Sequence, residues 1–184
     1  MPDNPSYIPT LPLLLTALAR PLPLPILAPI MNRIAGQSVH RHQALFARLG
    51  EHSSKGFQID PVDLPFVFFL QPVTNAPSFK MYRRGKCPQW DGRIAGPLAA
   101  LLGMIHGAYD GDALFFSRDI TLEGDTAAIL ALRNAIDNCE LDLFEEFMAS
   151  FGSIGNLALP RMQPIVDAMQ KRLGVALRRV EVGL

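Results

Sequence analysis

Between Ile94 and Tyr109 the chain carries no formally charged residue. An ordinary surface helix shows acids and bases on one side, so a segment of this kind must be covered all round. Gly96-Pro97 opens it, with Pro97 at a first-turn position where its missing N–H costs nothing. Leu98, Leu101, Leu102 and Ile105 then fall at i, i+3, i+4 and i+7, one clean helical face. Ala99, Ala100, Gly103, His106 and Gly107 form the opposite face. The fold must supply cover for both, whether from core, ligand, partner or membrane.

The segments before this helix read as strands. Phe57-Gln58-Ile59 alternates, and Phe66 to Leu70 is a five-residue apolar run, the pattern of a strand with apolar material on both faces. Phe79, Met81 and Arg83 alternate with Ser78, Lys80 and Tyr82, which predicts a hairpin partner, and a further strand is expected around Arg93–Ala95. After the uncharged helix comes DALFFSRDITLEGDT, Asp112 to Thr126. Its first part predicts a helical turn presenting Phe115 and Phe116. Ile120 and Leu122 alternate with Thr121 and Glu123 as a half-buried strand, which Gly124 ends. Asp125 is a good N-cap for a helix that buries Ala128, Ile129, Leu132, Ala135, Ile136 and Cys139 and pairs Arg133 with Asp137. Another helix is expected over 141–151, then a glycine-containing loop, then a last helix over 164–173. Strands leading into helices give an α+β class, with a mostly antiparallel sheet of about five strands.

The first 35 residues stand apart as an apolar, proline-rich arm. Leu11 to Met31 holds five prolines (Pro12, Pro21, Pro23, Pro25, Pro29) and Arg20. A membrane-spanning helix needs about 20 unbroken apolar residues, and lipid cannot replace the backbone bonds that prolines remove. A transmembrane span is therefore rejected. The arm either packs on the chain's own domain or on a second subunit, as in a homodimer, or lies in a membrane interface. Residues 1–48 hold four arginines against one acid, Asp3, and a basic end beside an apolar one suits anionic lipid. Formal net charge is zero, which argues against a nucleic-acid partner. The two cysteines, Cys87 and Cys139, lack metal-site or disulfide-framework spacing, and no basic leader precedes the arm. The expected location is the cytoplasm, with peripheral membrane association.

Catalytic constellations are weak. His40-x-His42 would chelate a metal from a strand, but on a helix the two rings point about 200° apart. His106, inside the uncharged helix, reads as a satisfied core histidine rather than a general base. Cys87 lies in a turn with Arg84 and Lys86, a setting that lowers a thiol pKa, yet no histidine accompanies it. No nucleophile elbow, phosphate loop or dinucleotide fingerprint is present. We therefore expect no catalytic residues, no metal and no cofactor: a chain that is not an enzyme.

The order of elements, and above all D-x-L-F-F-x-R-x-I-x-L-E-G-D-T followed by an apolar helix, resembles the sterol carrier protein type 2 lipid-binding family. More narrowly, DALFFSRDITLEGDTAAILALRNAID is similar to the members of that family that assist bacterial ubiquinone synthesis. The resemblance implies a domain over 36–151 whose sheet and helices enclose an apolar tunnel, followed by a helical extension over 152–184. It also implies a non-enzymatic carrier of a polyprenylated quinone precursor or a phospholipid, serving the oxygen-independent route together with hydroxylation proteins. The lining residues it implies are Phe46, Phe68, Leu70, Met81, Leu98, Leu101, Ile105, Phe115, Phe116, Leu122, Ile129 and Leu132. The alternative is a membrane-associated scaffold or dimerisation protein that recruits enzymes and carries no lipid.

Overall fold

In a computed structural model the described residues are 8–10, 29, 48–73, 77–137, 142–149 and 151–179. Most of the arm, Phe46, His40, His42 and Cys139 lie outside them. Five strands, β1 (Phe57–Pro61), β2 (Phe66–Gln71), β3 (Ser78–Arg83), β4 (Gly92–Gly96) and β5 (Thr121–Gly124), form one sheet in the order β3-β2-β1-β4-β5. β1 and β4 are parallel, and every other pairing is antiparallel. Among the described residues, after a 3-10 turn at Gly50–Ser54, the α-helices with full bounds are α1 (Leu98–Ile105), α2 (Gly111–Phe116), α3 (Thr126–Asp137), α4 (Leu143–Ala149) and α5 (Ser153–Leu173). This is the α+β sheet-and-helix fold expected from the strand and helix patterns.

Register sorts the sheet into two unlike faces. Phe57, Ile59, Ile94 and Leu122 join the main core, which also holds Leu101 and Met104 of α1, Leu114 of α2, and Ala128, Ile129, Leu132 and Ala135 of α3. Phe57 faces Leu70 across the β1–β2 pair and Ile59 faces Phe68, so these side chains share the helix side. On the reverse side Gln58, Asp60, Phe69, Arg93 and Glu123 alternate with them. β2 is buried on both sides, since Val67 and Phe69 on the reverse are as enclosed as Phe66. That is why its sequence runs FVFFL without alternation.

Asp60, 2 % exposed, anchors the reverse face. Arg84 Nη1 lies 2.6 Å from its Oδ1 and Arg93 Nη2 lies 2.6 Å from its Oδ2. Arg93 continues to Glu123 on β5, while Arg84 donates to the carbonyls of Pro61 and Leu64, clamping the β1–β2 turn. A buried carboxylate is tolerable only when it is held in this way.

The LEGD element does what its letters imply. Gly124 has φ +86°, and a Cβ there would stand 2.2 Å from the Asp91 carbonyl oxygen. Asp125 then caps α3, accepting from the Ala128 N–H at 3.0 Å and contacting Lys55 Nζ. That hydrogen bond from Lys55 and the one from Ala128 hold the Asp125 carboxyl below its ordinary range. Arg133 reaches back from α3 to Asp110 and Asp112 at the start of α2, besides its partner Asp137 one turn on.

One boundary differs. The glycine-containing segment expected as a loop is the first half of α5, which begins at Ser153 and continues through Pro160 and Pro164. Both prolines are exposed, so their rings and missing N–H groups lie on the solvent side. Gly155 allows the helix to start against α4: a Cβ there would overlap the Met148 carbonyl. His106, fully buried, ties α1 to this region. Its Nδ1–H donates to the Ala176 carbonyl (2.7 Å), and its Nε2 accepts from the Leu143 N–H (3.1 Å). Both nitrogens are used, which fixes the neutral tautomer.

Two outcomes follow. Gly124→Ala forces a left-handed alanine against a backbone carbonyl and lowers unfolding free energy by about 2 kcal/mol or more in denaturant titration. Burial pushes the His106 pKa below its ordinary 6.5, the Ala176 hydrogen bond only partly opposing it. The unfolded chain therefore binds the proton more readily, and stability is lost as pH falls below about 6.5. The thermal midpoint should drop between about pH 7.5 and about pH 5.5, and His106→Gln, which does not titrate, should flatten that slope.

Candidate functional site

Helix α1 is seated on its small residues. Ala99, Ala100 and Gly103 are buried with Leu101 and Met104, whereas Leu98, Leu102 and Ile105 remain half-exposed. The leucine stripe divides: Leu101 packs into the main core with Ala100 and Met104, whereas Leu98, Leu102 and Ile105 stay partly exposed, and Gly103 makes room for the Tyr109 ring. The helix thus keeps a row of partly exposed apolar side chains and no charge.

The start of that row lies beside a second apolar surface. Asp63, in the turn between β1 and β2, accepts a hydrogen bond from the Leu98 N–H at 3.0 Å and so caps α1 from a distant segment. The next residue, Leu64, packs with Phe66, Phe68 and Met81. Phe68 stacks on Phe79 across the hairpin with ring centroids 5.2 Å apart and meets Phe66 edge-on at 5.7 Å. Phe68, Leu70 and Phe79 all keep partial exposure. Among the described residues α1 and α3 lie over β4 and β5, and this aromatic floor belongs to the β2–β3 side of the sheet. Leu64, Phe66, Phe68, Phe79 and Met81 form an apolar floor with Arg83 opposite Phe66 at its end, and the Asp63 cap ties Leu98, the start of the α1 row, to the turn that carries Leu64.

The residues expected to line a tunnel thus fall into separate groups. Phe68 and Met81 lie on the floor, Leu70 packs against the main core, and Leu98 and Ile105 lie on the stripe. Leu101, Ile129 and Leu132 are packed in the main core, and Leu122 is half-buried against it. Phe115 and Phe116 form an edge-to-face pair at 5.8 Å, but they are 46 % and 81 % exposed, on the surface and away from the core. Phe46 is outside the described residues. Sequence reasoning passed over Phe79 and Leu64. Phe79 was detectable as the hairpin residue two before Met81 on the same face, whereas Leu64 sits in a turn and carries no periodic signal.

The reverse face carries a polar cleft of about 370 Å³ lined by Gln58, Asp60, Arg84, Cys87, Trp90, Arg93 and Glu123. Its two acids and two arginines answer one another, so it offers no net charge to a ligand. Cys87 here corrects an expectation. Burial pushes its thiol up, and Asp60 adds to the rise, so the basic turn does not produce an activated thiolate. Among the described residues no three His, Cys, Asp or Glu side chains gather as a metal site, and no helix is long and apolar enough to cross a membrane.

Comparisons with known proteins place this geometry. A comparison of the sequence with curated proteins found no match. The structure is similar to a solved UbiJ-SCP2 ubiquinone synthesis protein, with a TM-score of 0.51 and 13% identity, covering 63% of this chain and 93% of that one. It is also similar to sterol carrier protein 2 from Yarrowia lipolytica in its apo form (TM-score 0.44, 10% identity, 60% of this chain and 87% of that one). Sterol carrier protein domain 2 of Helicoverpa armigera follows (0.40, 14%, 61% and 91%). In sequence, the model of the SCP-2 sterol transfer family matches residues 37–137, more than half of the chain. The chain therefore belongs to the SCP-2 sterol transfer family.

Proposed function

We propose that this protein is a non-enzymatic lipid-binding accessory factor of ubiquinone synthesis, acting in the oxygen-independent route. The observation that carries the reading is the apolar floor of Phe66, Phe68 and Phe79, tied through the Asp63 cap to the uncharged helix α1 with its partly exposed Leu98, Leu102 and Ile105. Family membership supports lipid as its ligand, and the fold shared with a ubiquinone synthesis protein supports a polyprenylated quinone precursor, with phospholipid as the other candidate. Each CH₂ of an isoprenoid tail kept from water contributes about 0.8 kcal/mol, so a long tail supplies ample affinity without polar recognition. The aromatic head then stays accessible to partner hydroxylation proteins. The division proposed is an arm over 1–35 that meets the membrane or a second copy, a lipid-binding domain over 36–151 and a helical extension over 152–184. The working location is the cytoplasmic face of a membrane.

The test is native mass spectrometry of protein taken from cells, followed by lipid extraction. A co-purifying isoprenoid quinone precursor or phospholipid is expected. Phe79→Ser and Leu98→Ser should each reduce retained lipid about tenfold, the equivalent of losing about 1.4 kcal/mol of apolar contact. Ala127→Ser on the exposed side of α3 should leave it unchanged. A consistently empty protein that still associates with biosynthetic enzymes would instead favour the scaffold reading.

A further inference from the structure

Helix α5 lies beyond the segment matched by the family model, which ends at residue 137. It buries Gly155 and Val166 against the rest of the molecule, yet Leu157, Met162, Ile165 and Met169 are exposed. Leu157 is 70 % exposed, Ile165 52 % and Met169 47 %. Leu157, Arg161, Ile165 and Met169 succeed one another at i+4, and Arg172 follows Met169 at i+3, so all five share one long strip. The order along the strip is apolar, basic, apolar, apolar, basic. Arg161 hydrogen-bonds only the Leu157 carbonyl of its own helix. Arg161, Lys171 and Arg172 are all exposed, and none makes an ion pair among the described residues. The helix's one acid, Asp167, is already bridged to Arg178 at 3.2 Å. Its two prolines are exposed too, but they follow a different i+4 row from the strip, which keeps an unbroken run of side chains.

We propose that this strip of α5 docks the protein on an anionic phospholipid bilayer. Exposed apolar side chains interleaved with unpaired cations, and free of acids, match an interface where acyl chains lie beneath anionic headgroups. The flanking arginines extend their heads to phosphates while the Leu, Ile and Met side chains enter the acyl boundary. Continuity points the same way. Pro9, of the N-terminal arm, sits beside Gly174, the residue that ends α5, so the described part of the arm and this helix end meet. Docking by α5 is independent of whether the floor carries lipid, since the two surfaces share no residue.

The experiment is co-sedimentation of the full chain with vesicles of phosphatidylcholine alone and of phosphatidylcholine with about 30 % phosphatidylglycerol, a composition that sets a negative surface potential. Expected is binding to the anionic vesicles at least fivefold above the neutral ones. Ile165→Glu with Met169→Glu should remove most of it while the thermal midpoint stays unchanged. Arg161→Gln with Arg172→Gln, which removes charge without touching apolar packing, should lower it and weaken its salt dependence. Equal binding by all variants, or loss only when residues 1–33 are deleted, would overturn the proposal. So would a concentration-dependent dimer abolished by Ile165→Glu, or an acidic protein partner competing where vesicles do not bind. Retained lipid measured in the same Ile165→Glu/Met169→Glu protein should be unaltered, which separates failure here from failure of the lipid-carrier reading.

Discussion

The way α1 meets the sheet sets the character of the molecule. Ala99 and Ala100 are fully buried, Ala100 packs with Leu101 and Met104 in the main core, and Gly103 makes room for the Tyr109 ring. Leu98, Leu102 and Ile105 remain partly exposed while Leu101 and Met104 are in the core, so a helix without charge keeps a row of apolar side chains that its own domain covers only in part. The other parts hold this arrangement in place. Asp63 caps the first turn, His106 locks the last, and the Asp60–Arg84 pair clamps the turn that carries both Asp63 and Leu64.

A division of labour between the sheet faces follows. The reverse side is tied by a closed set of charges running from Arg84 through Asp60 and Arg93 to Glu123, which contributes rigidity and no ligand chemistry. The helix side is mostly apolar, with Arg83 at the end of β3 opposite Phe66, and is densely packed under α1 and α3 and less enclosed over β2 and β3. An apolar ligand needs only shape and dryness from its host.

Much of this was legible in the sequence, because the strands and caps depend on local chemistry. FVFFL announces a strand buried on both sides, the alternation of Phe79, Met81 and Arg83 announces its hairpin partner, and Gly124-Asp125 announces a stop and a cap. What was hidden depends on relations between distant segments. The i, i+3, i+4, i+7 leucines define a face, but only packing decides whether large or small residues go inward. Cys87 sits among bases in sequence, yet burial and Asp60, which is 27 positions away, decide its thiol. Phe115 and Phe116 look like interior aromatics and lie on the surface, because Leu114 takes the core-facing position of α2 and the next two residues turn away from it. The start of α5 was masked by Gly155 and two prolines, residues that ordinarily end helices and here permit a close crossing and a solvent-facing row.

The most direct measurement of the central claim is photo-crosslinking with a polyprenyl analogue bearing a diazirine on its tail, read out by peptide mapping. Labels concentrated on Phe68, Phe79, Leu98, Leu102 and Ile105 are the result this account requires. Labels absent from β2, β3 and α1, or found only along α5, would contradict it.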